Sequence, residues 1–235
     1  MSNATADRPR ASLVRRAAVS VLGAAALAGV MGVYAPGVAS AQSQAAADFS
    51  DCPALPAGVD PGKWRCEVHT AAPKLTIGKV SVALAPITMT HAEGPLADGT
   101  SGQVWGAMHS APTALGDGLP AIRTEYGGRF DAYTGRSSLR FRLLSPWLPH
   151  SCVIGAGAPV DFQFKRSGPS VWVSQDPPVI KFSAYDDTFT APAAEHCGPL
   201  TGPLNRRLGL PATSGNLMTY DATYTFKTYD QLPER

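Results

Sequence analysis

Twenty-three glycines and 21 prolines are spread through this 235-residue chain, and their spacing limits its fold more than any other feature. The apolar residues fall in short runs between these breakers, a pattern suited to strands and hostile to long helices. Where a run is long enough to show a period, the period is two. Met218, Tyr220, Ala222, Tyr224 and Phe226 alternate with Thr219, Asp221, Thr223, Thr225 and Lys227, so one face is apolar and the other wet. The same alternation marks 139–143, 160–165 and 180–185, with Arg140, Arg142, Lys165 and Lys181 assigned to solvent faces. Weaker strand candidates are 64–70, 80–84, 87–91, 103–109 and 122–126, with Asp98-Gly99 as a tight turn. Leu200, Leu204 and Leu208 share one helical face, and Gly209 and Pro211 stop it. The expectation is an all-β fold, an antiparallel β-sandwich or distorted barrel with one short helix, stapled by disulfides.

The first 41 residues have a different character. Arg8, Arg10, Arg15 and Arg16 precede a chargeless stretch from Ala17 to Ala35, Pro36-Gly37 breaks it, and Ala39-Ser40-Ala41 offers small residues for cleavage before Gln42. This reads as a secretory signal peptide, in preference to an uncleaved anchor. Val30 stands where a lipoprotein would need cysteine, and Arg15-Arg16 lacks the apolar pair of a twin-arginine signal. Residues 42–51 then read as a loose leader and 52–235 as a single β domain. Four arginines and one aspartate leave with the signal, taking the formal charge from +2 to −1. A near-neutral surface argues against nucleic acid as a partner.

Cys52, Cys66, Cys152 and Cys197 all lie in the exported part. An even count in an oxidising compartment implies two disulfides. Of three possible pairings, Cys52–Cys66 and Cys152–Cys197 close the shortest loops without crossing. A zinc site built on these cysteines is disfavoured, because His196 is their one histidine neighbour apart from His150 and no Cys-x-x-Cys pair exists.

Several motifs resemble a group of uncharacterised secreted proteins of actinobacteria. They are Cys152-Val153-Ile154-Gly155, Asp186-Asp187-Thr188-Phe189, Cys197-Gly198-Pro199-Leu200 and Leu208-Gly209-Leu210-Pro211. The likeness covers mainly 140–228. It implies export and a shared framework containing Cys152 and Cys197, and it assigns no activity.

Each candidate for chemistry also has a plain structural role. His150-Ser151-Cys152 suggests a cysteine nucleophile, but a bridged cysteine has no thiolate. A Gly-x-Ser-x-Gly elbow is missing after residue 41, and Ser137 and Ser138 read as a turn opening a strand. Asp186-Asp187 with Asp176 suggests calcium or, more simply, turn chemistry. Glu67, Glu93, Asp131 and Asp161 are available for acid–base work but read as outward-facing residues. His69, His91 and His109 fall in three strand candidates, a conceivable metal triad with no short-range pair to support it. Among the aromatics, Trp147 and Trp172 lie at element ends and are the favoured weak binding residues; most of the others read as filling the core and strand edges. The expectation is therefore a non-enzymatic binding or structural domain with no cofactor and no metal. Its partner would be a cell-wall glycan, a lipid or another secreted protein. The alternative is a secreted hydrolase or cell-wall transferase.

Overall fold

The computed structural model describes residues 47–116 and 118–233; the signal-peptide reading, the cleavage point and residues 42–46 of the leader lie outside them. Alternation at period two becomes fourteen strands: β1 Arg65–Ile77, β2 Val80–Ala83, β3 Ile87–Pro95, β4 Ser101–Ser110, β5 Thr113–Ala114, β6 Ala121–Asp131, β7 Arg136–Leu144, β8 Val153–Ile154, β9 Val160–Gln163, β10 Lys165–Arg166, β11 Val171–Gln175, β12 Pro178–Asp186, β13 Ala194–Glu195 and β14 Leu217–Thr228. One short helix, α1, spans Thr201–Leu208. It ends at Gly209, whose φ of 71° is left-handed and natural only to a residue without Cβ.

The strands form two antiparallel sheets, and no barrel closes. The larger sheet runs β10-β12-β14-β1-β3-β4, with β11 beside β12 and β2 beside β1. The smaller runs β13-β8-β7-β6-β5, with β9 beside β7. Leu75, Ile77 and Met218 from the larger sheet meet Ile122, Leu139, Phe141, Leu143, Val160 and Phe162 from the smaller in one apolar core. Leu208 of α1 adds to it, which is how a helix of two turns is held. The single apolar run at 160–165 splits: β9 pairs with β7, Phe164 turns, and β10 pairs with β12 in the other sheet.

Both disulfides take the expected pairing, Cys52–Cys66 and Cys152–Cys197. Such bridges are consistent with an extracellular protein. No helix among the described residues is long and apolar enough to cross a membrane. The described part of the stretch expected to be a loose leader is held down. The Asp51 carbonyl accepts the Thr90 hydroxyl at 3.0 Å, and Lys227 lies 5.2 Å from the Phe49 ring. Cys52 then bridges to Cys66 on the outer face of β1. The segment thus covers the outer face of β1.

Candidate functional site

β1 reads Arg65-Cys66-Glu67-Val68-His69, charged and apolar residues in strict alternation. Because both faces of β1 are covered, charged residues are buried as well, Glu67 at 4% exposed and His69 at 6%, with Arg65 half-buried beside them. The expectation that Glu67 and Glu93 face outward is corrected here. The apolar set, Cys66 and Val68, packs on the side of the Cys52 bridge, and this turns 65, 67 and 69 toward the smaller sheet.

Register completes the cluster. Glu67 lies opposite His91 and Arg65 opposite Glu93 on β3; Tyr224 of β14 lies opposite His69. Glu67 divides its oxygens between two tasks. Oε1 sits 2.7 Å from Arg65 Nε, whereas Oε2 is 2.9 Å from His69 Nε2 and 3.7 Å from His91 Nε2. Glu93 accepts from Arg65, and its other oxygen is 3.6 Å from His91 Nε2. One ligand atom each from Glu67, His69 and His91 falls within 4.8 Å of the others.

Aromatic rings wall the two imidazoles. His69 stacks on Tyr224 with centroids 4.9 Å apart, and His91 lies 5.0 Å from Phe130 of the smaller sheet. His91 is fully buried, and neither of its ring nitrogens has a hydrogen bond; His69 Nδ1 has none either. Each such atom costs about 1–3 kcal/mol relative to a satisfied one. Burial lowers the His69 pKa against the pull of Glu67, favouring the neutral ring. Burial alone would raise Glu93, but His91 and Arg65 outweigh it and hold the carboxyl at about 2. Burial also opposes the Arg65 charge, and Glu67 and Glu93 overcome it and raise its pKa.

Beyond His69 the space between the sheets opens into a cavity of about 110 Å³, lined by Ala71, Met89, Met108, Phe130, Phe164 and Phe182 among others. Arg136 and Arg166 line it too, and both are exposed, so the cavity reaches the surface beside them. Arg166 sits 3.6 Å above the Phe182 ring. Tyr220, another lining residue, has its pKa pushed up to about 12 by burial and stays a neutral phenol.

The remaining sequence candidates separate. Trp147 and Trp172 are 61% and 53% exposed, one after β7 and one on β11, and neither lines this cavity. His109 is exposed and pairs with Asp51 at 2.7 Å, away from His69 and His91. Cys152 is bridged, so the nucleophile idea ends there. Asp186 caps its own turn by accepting from Gln163 N, Thr188 N and Thr188 Oγ1, each at 2.7 Å, and Asp131 does the same for Thr134. Asp161 accepts from Ser138. Arg65 was missed altogether, although Arg65-x-Glu67-x-His69 and His91-x-Glu93 are period-two polar runs that place every charge on one strand face. No protein-family model, curated protein or solved structure matches the chain.

Proposed function

We propose that this chain is an exported binding domain, with its first 41 residues removed as a signal peptide, that holds a small amphipathic anion between its two sheets. The observation that carries this reading is the cavity of about 110 Å³, apolar within and flanked by the exposed guanidiniums of Arg136 and Arg166. Apolar walls with a few placed polar groups are the usual make-up of a ligand site. An apolar cavity of about 150 Å³ holds benzene, so a cavity of this size suits a single small ring or a short alkyl group. An arginine pair suits a carboxylate or phosphate head, because each guanidinium offers a planar fork of donors. All four cysteines are bridged, which leaves no thiolate for nucleophilic chemistry. The likeness of 140–228 to exported actinobacterial proteins supports the placement outside the cell.

Isothermal titration with a series of straight-chain carboxylates and benzoate, set against the matching alcohols, tests the ligand class. Short carboxylates bind and the alcohols bind at least about tenfold more weakly, one charge-assisted hydrogen bond being worth roughly 1.5–3 kcal/mol. Ala184→Leu, which fills the cavity from β12, removes binding. Equal binding of acids and alcohols, or binding that survives the filled cavity, refutes the reading. Sequencing the N-terminus of exported material tests the leader, with Gln42 as the expected first residue.

A further inference from the structure

We propose that Glu67, His69 and His91 form a site for one divalent transition-metal ion, held by Glu67 Oε2 and one ring nitrogen from each histidine. The site goes beyond the cavity reading and does not depend on it.

Three observations carry the proposal. The first is distance. Two ligands bound to one zinc ion at 2.0–2.1 Å in tetrahedral geometry stand roughly 3.3 Å apart. The separations from Glu67 Oε2 to the two Nε2 atoms are 2.9 and 3.7 Å, on either side of that value, and the whole set lies within 4.8 Å. The two carboxylate–imidazole separations each differ from that value by about 0.4 Å, and side-chain rotation on fixed strands closes the remaining imidazole–imidazole edge, which is no longer than 4.8 Å.

The second observation is the unused valence. His91 is 0% exposed, and both of its ring nitrogens lack a hydrogen bond. Buried polar atoms are almost always paired. A ring nitrogen facing a carboxylate oxygen at 3.7 Å, too far for a hydrogen bond, is spaced as a ligand is across a metal ion. Glu67 is placed in the same sense: Oε1 forms an ion pair with Arg65, and Oε2, hydrogen-bonded to His69, faces both imidazoles.

The third observation is the donor set, one carboxylate oxygen and two imidazoles gathered in one cluster. Two imidazoles with one carboxylate select first-row transition metals over calcium or magnesium, which prefer all-oxygen shells. Orientation of the rings comes from aromatic packing, Tyr224 against His69 and Phe130 against His91. The ion has a way in, because His69 also lines the cavity that reaches the surface.

The purified oxidised chain, stripped with a chelator and desalted, is titrated with zinc chloride in competition with a chromophoric zinc chelator and without any carboxylate ligand present. One equivalent binds. His91→Ala and Glu67→Gln each weaken binding by at least about 100-fold, the upper end of what loss of a mere supporting partner costs. His109→Ala, on the exposed outer pair, leaves it unchanged. A variant at a fully buried position is liable to misfold, so X-ray absorption at the zinc edge of the unmutated protein supplies the second measurement, with two imidazole nitrogens expected at about 2.0–2.1 Å. Absence of stoichiometric binding, unchanged affinity in folded His91→Ala, or a zinc shell without imidazole overturns the proposal. None of these results bears on carboxylate binding in the cavity.

Discussion

Removing the two disulfides one at a time should cost unequal amounts of stability, in an order set by the structure. Cys152 and Cys197 are 45 residues apart, and Cys52 and Cys66 are 14 apart. In the chain-entropy description, closing these loops in the unfolded state is worth about 4 kcal/mol for the longer and about 3 kcal/mol for the shorter. Packing adds to both losses, since Cys52 is 2% exposed and the other three cysteines 0%. Cys152 and Cys197 belong to the core shared by the two sheets. Cys52 and Cys66 instead fasten the segment before β1 to the outer face of the larger sheet, where Thr90 and Lys227 continue to hold it. Against a typical total of about 5–15 kcal/mol, the first pair is the difference between a stable and a marginal domain. Urea unfolding followed by tryptophan fluorescence reads both values. The reasoning is refuted if the Cys52/Cys66 double variant is the less stable of the two, or if the Cys152/Cys197 variant loses under about 1 kcal/mol.

Gly94→Ala should destabilise by about 1–3 kcal/mol in thermal or urea melts, because its Cβ would stand 2.6 Å from Cγ of the fully buried Trp64 indole; an unchanged midpoint contradicts this packing. Asn216→Ala should cost about 2–4 kcal/mol by the same measurement. Its amide donates to the Phe189 and Ala212 carbonyls, each at 3.0 Å, and its oxygen accepts from Gly78 N at 3.1 Å, so three loops lose a shared partner worth roughly 1 kcal/mol per bond. Acid should weaken the fold partly through Glu125. Burial works to raise its pKa, but bonds from Arg142 and Arg123 outweigh this and lower it. A carboxyl depressed in the folded state contributes stability above its unfolded pKa of about 4.3 and loses that contribution as pH falls through the folded value. Glu125→Gln should therefore be less stable near neutrality and converge with the unmutated protein as pH falls through the lowered folded value; parallel stability curves from neutrality into acid count against the pairing.

Much of the fold is legible in the residues themselves. The runs at 139–143, 180–185 and 218–227 are strands because a two-residue period with branched and aromatic side chains suits only a pleated surface, and β7, β12 and β14 contain them. Of the three leucines expected on one helical face, Leu204 and Leu208 lie in α1 and Leu200 precedes it, 36% exposed; Gly209 stops the helix as expected, and the bridges follow from an even count of cysteines with two short loops. The pairs β8, β10 and β13 were not legible, since two-residue strands have no period to show. The short run of Val171, Trp172 and Val173 in β11 alternates nothing: all three are exposed at the sheet edge.

The amino-acid order alone determined that 65, 67 and 69 share one side of a strand. It could not determine which side faces inward, because that depends on what covers each face, and the covering of the outer one comes from the segment anchored at Cys52. Nor does local pattern contain the register that sets Glu67 against His91 across 24 residues of chain. Pairing offsets are fixed by the packing of two whole sheets, where one residue of slip would exchange every buried side chain for an exposed one. Tertiary structure therefore decided that a polar cluster is buried, and which histidines it contains.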